Sequence, residues 1–257
     1  MKFLIVIPTY NEIDNIERLL GRLMNVSPDI EVLVVDDGSP DGTGALVKGF
    51  TATHSRIHLL ERTEKNGIGP AYIAGFKWAL ERDYEAIIEM DADLSHRPRY
   101  LPKFFKEIKN YDMVVGSRWM PGGRIANWPV SRVILSRLAN IYCKWILQVP
   151  IYDMTGGFVC YRRALLESID FNAIKSDGYS FQIEMKFRAL CLKYRLFETP
   201  ITFTDRKAGS SKISKKIVYE ALFMVLYLKI RGWMGAYNKP AHKNPQPQVY
   251  QKKPHRN

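Results

Sequence analysis

Two carboxylates separated by a single residue stand near the middle of the chain. An apolar run over residues 86–90, interrupted only by Glu89, ends directly at Asp91-Ala92-Asp93. Such a run is typical of a buried strand, and acids that follow a strand lie at the carboxyl edge of a sheet, where open α/β folds bind ligands. Two oxygen ligands at this spacing suit Mg²⁺ or Mn²⁺ that carries substrate phosphates. A solvated turn after a strand would explain the pair alone equally well.

Other polar groups lie in similar loops. Ser95 and His96 follow the acidic pair and could add a ligand or orient a bound water. The loop 36–42, with the sequence DDGSPDG, follows another predicted strand, and the glycine-rich loop 66–70 precedes a predicted helix. Glycines before a helix allow backbone N–H groups to approach a phosphate, although an ordinary loop has the same pattern.

The periodicity of apolar residues places these loops in an α/β fold. Strands are predicted at residues 3–7, 31–35, 57–61, 86–90, 112–116, 158–161 and 198–203. Apolar residues at helical spacing predict helices between most of them, the first one with Asn11 as its N-cap. This alternation predicts a doubly wound, mixed but mostly parallel sheet that is flanked by helices.

Composition narrows the class of protein. At 257 residues, 46% of them hydrophobic, the chain can form one sizeable α/β domain with an appendage. The formal net charge of +12 predicts a negatively charged partner, and nucleic acid, anionic lipid and phosphorylated substrates all qualify. Cys143, Cys160 and Cys191 form neither a zinc motif nor a disulfide framework, which is typical of a reducing compartment. The first apolar run is too short for a signal peptide, and we expect no membrane-spanning helix.

Two amphipathic helices are predicted in the second half of the chain, and the first of them is basic. Residues 118–147 contain five Lys and Arg residues and no acid, with apolar residues at helical spacing over 131–147. A second, strongly apolar helix is predicted over 217–230, and the basic, proline-containing tail 238–257 is predicted to be disordered. Such a helix either packs on the protein with one face in solvent or lies on a membrane surface.

Seven motifs carry a resemblance to a known family. They are PTYNE at 8–12, DDGSPDGT at 36–43, DADLSH at 91–96, GSR at 116–118, DMTGGF at 153–158, GYSFQIEM at 178–185 and DRKAGSSK at 205–212. Together they resemble the inverting glycosyltransferases of family 2, which have the GT-A fold, and among these the dolichol-phosphate (polyprenyl-phosphate) mannose synthases. The resemblance implies a GT-A catalytic domain over 1–212, an amphipathic interface helix over 213–237 and a disordered tail over 238–257.

This resemblance implies transfer of mannose from GDP-mannose to a polyprenyl (dolichyl-type) phosphate, which gives polyprenyl-phosphate β-mannose and GDP. The implied donor-binding residues are Pro8, Tyr10, Glu12, Val35, Asp37, Asp91, Ala92, Asp93, Arg206 and Lys212. Mg²⁺ or Mn²⁺ would be held by Asp91, Asp93 and Ser95, the last at a position where archaeal-type relatives have Gln. The metal would offset the charge on the departing GDP.

The acceptor phosphate is expected at Arg118, Arg132 and Ser136, because the resemblance matches them to phosphate-gripping positions and guanidinium groups bind phosphate bidentately. Asp91, Asp93 and Arg118 are therefore the candidate catalytic residues. A phosphate acceptor is already an anionic nucleophile, so it needs little help from a general base beyond what the two acids could supply.

Several alternatives are open at this point. A UDP-sugar such as UDP-glucose is the alternative donor, because selection of the base depends on few contacts around Asp37. The alternative class is a basic protein that binds nucleic acid or acidic lipid. Nucleic-acid modules rarely place acids at strand ends, so we expect no nucleic-acid partner. Gln182 and Glu184 either contact sugar hydroxyls or have a structural role in the core or in helix capping.

A long isoprenoid acceptor requires access to a membrane. We expect peripheral association with the cytoplasmic face of a membrane through the predicted helices 131–147 and 217–230 and the basic tail. Each basic residue near an anionic surface contributes about 1 kcal/mol. A small membrane partner subunit that binds the second helix is the competing explanation.

Overall fold

The computed structural model describes residues 1–205 and 215–239. Its strands are β1 (Phe3–Thr9), β2 (Ile30–Asp36), β3 (Ile57–Glu61), β4 (Ala86–Glu89), β5 (Met113–Ser117), β6 (Arg124–Ala126), β7 (Val159–Arg162), β8 (Leu196–Pro200) and β9 (Thr202–Thr204). Its helices are α1 (Ile13–Met24), α2 (Thr43–Thr53), α3 (Ile68–Leu80), α4 (Leu101–Glu107), α5 (Val130–Leu147), α6 (Arg163–Glu167), α7 (Gly178–Cys191) and α8 (Lys215–Trp233).

Within residues 1–205, seven strands form one sheet in the order β3-β2-β1-β4-β7-β5-β8. β7 is antiparallel to both of its neighbours, and the other pairs of this sheet are parallel. The predicted α/β fold with a mixed, mostly parallel sheet is therefore confirmed. The chain builds outwards from β1 to β3 and then returns to the other side of β1 with β4. The loops after β1 and β4 thus meet at a topological switch point, where open α/β sheets bind ligands.

Helices cover both faces of this sheet. Because side chains alternate along a strand, Ile5 of β1 packs with α1, α2 and α4, whereas Val6 packs with α3 and α7 on the opposite face. α3 lies close to the sheet because Gly75 has no side chain, and a Cβ there would overlap Val6. Overpacking of this kind costs about 1–3 kcal/mol.

α5, α7 and α8 pack together beside the sheet. Cys143, Phe187, Val225 and Leu228 are buried in their common cluster. The outer sides of α5 and α8 expose apolar side chains, namely Val130, Ile134, Leu138, Ile141, Trp145, Tyr219, Phe223, Ile230 and Trp233. Among the described residues, no helix has both the length and the apolarity needed to span a membrane.

The start of α1 differs from its prediction. The N-cap is Glu12, whereas Asn11 has a φ of 60° and lies before the helix. The backbone amides of residues 11–13 donate to side chains of the loop after β2, namely those of Ser39, Thr43 and Asp41. This distant loop therefore takes the place of a local cap.

The prediction of one strand over residues 198–203 is wrong, because the chain forms two strands there. β8 ends at Pro200, which has no amide proton for a ladder. The amide of Ile201 donates to the Ser117 carbonyl, and the Ile201 carbonyl accepts from the Arg124 amide. The chain thereby leaves the main sheet, and β9 pairs with β6 in a separate two-stranded sheet. At three residues, β6 is too short for periodicity to predict.

Two predicted segments fall wholly or largely outside the described residues. Arg206 and Lys212 belong to the first, the DRKAGSSK loop, and most of the basic tail 238–257 forms the second. The predicted domain boundaries after residues 212 and 237 stay predictions.

Candidate active site

A pocket of about 250 Å³ opens at the switch point between β1 and β4. Its lining combines the loops after these two strands with the segment 153–158 and the start of α7. The lining includes Pro8, Glu12, Asp91, Ala92, Asp93 and Gln182. The structure therefore brings five of the predicted donor- and metal-binding residues into one pocket.

Asp91 is held in a defined orientation. Its amide donates to Nδ1 of His96 at 3.0 Å, and the hydroxyl of the buried Tyr72 donates to its Oδ1 at 3.3 Å. The Asp91 side chain is still 32% exposed, and it lines the pocket. The carboxylate is therefore oriented by buried groups and remains accessible to a ligand.

His96 supports Asp91 and is not itself a metal ligand in this arrangement. Its side chain is buried, and its ring stacks on Phe158 with a centroid distance of 4.9 Å. Burial lowers the pKa of His96, although Asp91 and Asp93 oppose this. Because Nδ1 accepts the Asp91 amide proton, Nε2 carries the ring proton of the neutral imidazole and has no lone pair to offer.

Asp93 and Ser95 lie on either side of a strained residue. Leu94 has a φ of 64°, a left-handed conformation that costs about 1–2 kcal/mol. This turn lets the Ser95 amide donate to Asp93 Oδ1 at 3.0 Å. The Ser95 hydroxyl is buried and has no hydrogen-bond partner among the described residues.

A divalent metal fits this set of oxygen donors. Within residues 1–205 and 215–239, no group of three or more His, Cys, Asp or Glu side chains converges, so the acidic contribution would come from Asp91 and Asp93. The Ser95 hydroxyl is buried without a partner, which is the kind of group for which a ligand or water is expected, but Ser95 lies outside the lining of this pocket and its role as a metal ligand stays a prediction. Mg²⁺ and Mn²⁺ commonly bind through one or two carboxylates, with phosphate oxygens and waters in the other positions.

The remaining predicted donor-binding residues of the described chain lie outside the lining of this pocket. The amine of Lys65 lies 3.7 Å from the ring centroid of Tyr10. Oδ1 of Asp37 is 2.9 Å from Nη1 of Arg62, and burial raises the pKa of Asp37 although Arg62 opposes this. Val35 is fully buried within β2, between β1 and β3, so neither its side chain nor its main chain is exposed to a ligand in this structure.

The other acids of the DDGSPDGT loop have structural contacts. Asp36 accepts hydrogen bonds from the hydroxyls of Thr9, at 2.8 Å, and Ser39, at 2.6 Å. Asp41 accepts from both the amide and the hydroxyl of Thr43. These contacts hold the loop to the end of β1 and to the start of α2, and Asp37 is the acid of this loop that stays a donor-binding candidate.

Arg118, directly after β5, is buried and bound to other protein groups. Its Nε and Nη2 each lie 2.7 Å from the Asp153 carboxylate, and Nη2 also donates to the Thr155 hydroxyl at 2.8 Å. Burial alone would raise the pKa of Asp153, but Arg118 outweighs burial and lowers it. The expected bidentate contact between Arg118 and a phosphate is therefore wrong, because these nitrogens bind Asp153, and Nη1 is the nitrogen left for an anion.

A second cavity, of about 240 Å³, lies between α5, α7 and α8. Arg118, Arg132 and Ser136 all line it, so the three predicted acceptor-binding residues are brought together. The rest of the lining is mainly apolar or aromatic and includes Leu135, Tyr142, Ile183, Leu222 and Val225. The cavity therefore has a cationic end and an apolar body.

Arg132 lies at the cationic end of this second cavity. Its Nη1 is 2.9 Å from Oδ1 of Asp205, and its guanidinium lies 4.0 Å from the ring centroid of Trp128. Its Nε is buried and has no hydrogen-bond partner within the part of the chain that the structure describes. A guanidinium N–H without a partner beside a cavity suits an anionic ligand.

The two cavities meet at Thr155 and Tyr179, which line both of them. On one side of this junction stand the carboxylates Asp91 and Asp93. On the other side stands the arginine-lined end of the apolar cavity. A phosphate bound through a metal in the first pocket would therefore lie next to the anionic group of a ligand whose apolar part fills the second cavity.

Sequence reasoning missed the residues that hold the segment 153–157. The fully buried amine of Lys186 donates to the carbonyls of Met154, at 3.0 Å, and Gly156, at 2.6 Å. Burial lowers the pKa of Lys186 to about 8. Asn140 of α5 binds the same segment through the amides of residues 154 and 155. Asn140 is the one polar residue among the buried residues of α5. Lys186 is one of four buried polar residues of α7, so the helical pattern alone did not single it out.

Three other polar residues of the site have distinct surroundings. Glu89 is fully buried behind the acidic pair, and burial raises its pKa to about 8. Gln182 lines the same pocket as Asp91 and Asp93, which is called the donor-side pocket because several of the predicted donor-binding residues lie there, and it stays a candidate for sugar contacts. Glu184 is buried and binds Arg188 and Ser176, as the core alternative expects.

Comparison of the sequence with known proteins finds a family and close relatives. The profile described as Glycosyl transferase family 2 matches residues 4–170. The "Polyprenol monophosphomannose synthase" of Mycolicibacterium smegmatis is 46% identical over 231 residues, which cover 89% of this chain and 87% of that protein. The "Undecaprenyl-phosphate mannosyltransferase" of Micrococcus luteus is 47% identical over 225 residues, which cover 88% of this chain and 93% of that protein.

Solved structures share the fold at low sequence identity. Mannosyl-3-phosphoglycerate synthase from Rubrobacter xylanophilus has a TM-score of 0.62 and 17% identity, with 98% of this chain and 79% of that chain covered. The mannosyltransferase PcManGT from Pyrobaculum calidifontis, in complex with GDP-Man and Mn²⁺, has a TM-score of 0.55 and 20% identity, with 95% and 76% covered. At these identities the likeness concerns the fold alone, and both are glycosyltransferases of this α/β architecture.

Proposed function

The chain belongs to glycosyl transferase family 2, and we propose that it transfers mannose from GDP-mannose to a polyprenyl phosphate, giving polyprenyl-phosphate β-mannose and GDP. The main support is the junction at Thr155 and Tyr179, where an acidic pocket adjoins an arginine-lined apolar cavity. The names of the two relatives at 46% and 47% identity support both the sugar and the lipid phosphate acceptor.

On the donor side, Asp91, Asp93 and Ser95 would hold Mg²⁺ or Mn²⁺, which offsets the negative charge that develops on the departing GDP. Tyr72 and His96 keep Asp91 oriented for this contact. A bound Mn²⁺ in the distantly similar structure of PcManGT is consistent with a divalent metal in this fold.

The nucleoside of the donor would lie along the loops after β1 and β2. Pro8 and Glu12 line the donor-side pocket, and Tyr10 and Asp37 offer an aromatic ring and a hydrogen-bond acceptor beside it. Val35, which is buried in β2 beneath these loops, would support this surface without touching the donor. Arg206 and Lys212, which lie outside the described residues, would bind the donor phosphates, a role supported by the DRKAGSSK motif alone.

On the acceptor side, the lipid phosphate would bind at the cationic end of the second cavity. Nη1 of Arg118, Nε of Arg132 and the hydroxyl of Ser136 are the groups we propose for this contact. The apolar body of the cavity would take the isoprene units next to the phosphate, because burial of apolar surface contributes about 25 cal/mol per Å².

The reaction joins the two sites. A phosphate oxygen of the acceptor attacks the anomeric carbon of mannose, and the bond from that carbon to the GDP oxygen breaks, with its electron pair leaving on GDP. Attack from the face opposite the leaving group inverts the anomeric configuration. No proton has to be removed, because a phosphate monoester is already ionised near neutral pH, and so the chain needs no dedicated general base.

We further propose that the outer sides of α5 and α8 dock on an anionic membrane surface. Trp145, Phe223 and Trp233 are 78%, 71% and 87% exposed there, which is far more than a packed helix leaves open. α5 carries three Lys and Arg residues and no acid, a charge pattern complementary to anionic lipid. The second cavity lies between these two helices and α7, so a docked enzyme would receive its acceptor from the bilayer.

A panel of donors tests the proposed reaction. Purified protein with Mn²⁺ and a short polyprenyl phosphate would receive GDP-mannose, UDP-glucose or UDP-GlcNAc in separate reactions, with radiolabelled sugar followed into the lipid phase. We expect transfer from GDP-mannose alone. Transfer from a UDP-sugar alone would overturn the donor and keep the acceptor and the fold.

A further inference from the structure

We propose that the Thr155 hydroxyl donates a hydrogen bond to a phosphate oxygen at the junction of the two cavities. In this proposal Asn140 is the positioning residue, because it fixes the direction in which the hydroxyl proton points. The inference rests on the proposed function, since it assigns a phosphate-binding residue within that site. Thr155 is buried apart from its contribution to the two linings.

The hydrogen bonds of Asn140 establish the orientation of its amide. Its Oδ1 faces the N–H groups of Met154, at 2.7 Å, and Thr155, at 3.3 Å, and its Nδ2 faces the carbonyl of Ser136 at 2.8 Å. The flipped amide would point N–H groups at N–H groups and an oxygen at a carbonyl oxygen, so only one orientation is consistent. Nδ2, which lies 3.1 Å from the Thr155 hydroxyl oxygen, must therefore donate to it.

Arg118 makes the second contact with the same oxygen. Its Nη2 lies 2.8 Å from Oγ1 of Thr155, and a guanidinium can only donate. The Thr155 oxygen thus accepts from both Asn140 and Arg118, which uses its two lone pairs. The hydroxyl proton must then point in a third direction.

That third direction has no protein acceptor. Within residues 1–205 and 215–239, the Thr155 hydroxyl forms no hydrogen bond as a donor. Its side chain lines the donor-side pocket and the acceptor cavity, so an acceptor atom supplied by a ligand can meet the proton. A phosphate oxygen is the chemistry that both cavities favour there, either from the nucleoside diphosphate or from the lipid phosphate.

The backbone around Thr155 is held from several sides, which keeps this hydroxyl in place before a ligand arrives. Lys186 binds the carbonyls of Met154 and Gly156, and the Glu198 carboxylate accepts from the amides of residues 152 and 153. Because this hydrogen-bond donor is already oriented, the protein needs little reorganisation when a charged phosphate binds. Asn140 lies on the buried side of α5, opposite the exposed apolar residues of the same helix. The side chain of Asn140 therefore links α5 to the junction of the two cavities.

The test compares Thr155→Val, Thr155→Ser and wild type by calorimetric titration with three probes: farnesyl phosphate, farnesol and GDP with Mn²⁺. A hydrogen bond to a charged group is worth enough to change affinity by about 10- to 100-fold. We expect Thr155→Val to lose affinity by this factor for farnesyl phosphate or for GDP with Mn²⁺, whichever supplies the phosphate oxygen. Farnesol, which lacks the phosphate, should bind both variants alike.

Two controls separate this role from general damage. Thr155→Ser retains the hydroxyl, and it should recover most of the affinity that Thr155→Val loses. Thr199→Val removes the hydroxyl of another buried threonine outside both linings, and it should leave all three affinities unchanged. Unchanged affinity of Thr155→Val for both phosphate probes would overturn the inference.

Asn140→Asp tests the positioning role. A carboxylate cannot donate, so the Thr155 hydroxyl would turn and donate to it, and the proton would leave the junction. We expect Asn140→Asp to weaken the same probe as Thr155→Val, and the double variant to be no weaker than Thr155→Val alone. Additive losses in the double variant would exclude this coupling. If wild type fails to bind farnesyl phosphate, the lipid acceptor is wrong, and the nucleotide titrations still decide the role of Thr155.

Discussion

The guanidinium of Arg118 and the carboxylate of Asp153 form a buried, two-point ion pair with both N–O distances at 2.7 Å. The same carboxylate also accepts the Arg118 backbone amide at 2.9 Å. The pair attaches the end of β5 to the segment that separates the two cavities. Arg118 therefore shapes the junction, and only its remaining nitrogen is available to a substrate phosphate.

Removal of the Asp153 charge should therefore destabilise the fold. Asp153→Asn leaves Arg118 as a buried charge without compensation, which costs about 3–5 kcal/mol in the free energy of unfolding. Urea denaturation measures this loss. Asp205→Asn is the matched control, because the Arg132–Asp205 pair is partly exposed and should cost about 1 kcal/mol or less. An equal loss of unfolding free energy in both variants would show that the buried pair stabilises the fold no more than the partly exposed pair.

The Asp153 pair should also make stability depend on pH in a known direction. Arg118 holds the pKa of Asp153 below its ordinary value of 3.8 despite burial. The ionised carboxylate therefore stabilises the fold above pH 3.8, and this contribution is lost as the pH falls through the folded-state pKa. The difference in unfolding free energy between wild type and Asp153→Asn should shrink in that acid range. A difference that stays constant down to the acid transition would refute this reading.

Glu89 should show the opposite dependence on pH. Burial raises its pKa to about 8, so the folded protein keeps a proton that the unfolded chain releases near pH 4.5. Wild type should therefore lose stability relative to Glu89→Gln as the pH rises from 4.5 to 8. Urea denaturation at the two ends of this range measures the change. If the difference in unfolding free energy between the two proteins does not change with pH over this range, Glu89 is ionised in the fold.

Loss of one carboxylate at the metal site should abolish transfer without unfolding the protein. Asp93→Asn should lower kcat on the order of a hundredfold or more, because a metal contributes several kcal/mol to stabilisation of the departing charge. EDTA should have the same effect on wild type, and Mn²⁺ should restore only wild type. Asp14→Asn, at an exposed acid of α1, serves as the control. Activity of Asp93→Asn close to wild type would remove Asp93 from the metal site.

The exposed side of α5 and α8 should govern binding to membranes. The double variant Trp145→Ser, Phe223→Ser removes two exposed aromatic side chains, each worth about 1.5–3 kcal/mol when fully buried, so partitioning into anionic vesicles should fall more than tenfold. Flotation at low salt measures it. Ile13→Ser, at an exposed apolar residue of α1, should float like wild type. Absence of flotation in wild type would favour a membrane partner subunit over direct docking.

The local parts of the structure followed from the sequence. The apolar runs of β1 and β4 end where the chain changes to polar residues, and so the positions of Glu12 and Asp91 at one sheet edge could be predicted. A fixed periodicity also revealed α5 and α8 as amphipathic helices. These features depend on neighbours within a few residues, which a single sequence displays directly.

The contacts between distant segments did not follow from the sequence. Asp153 lies 35 residues from Arg118, and the sequence analysis assigned Arg118 to the acceptor phosphate without any indication that Asp153 would bind it. Asn140 occupied a position on the apolar side of α5, where its role depends on a loop that folds back 15 residues later. The bend that separates β8 from β9 was missed for the same reason, because it depends on the partners of Ile201 in two different sheets.

Photolabelling tests the two-cavity account most directly. A polyprenyl phosphate with a diazirine on its isoprene chain would be irradiated with the enzyme, Mn²⁺ and GDP, and the labelled peptides would be mapped by mass spectrometry. We expect the label on lining residues of α5, α7 and α8, such as Leu135, Ile183 and Leu222, and a loss of this label when unlabelled polyprenyl phosphate competes but not when polyprenol competes. Label confined to other surfaces, or competition by polyprenol as strong as by the phosphate, would contradict the assignment of this cavity to the acceptor.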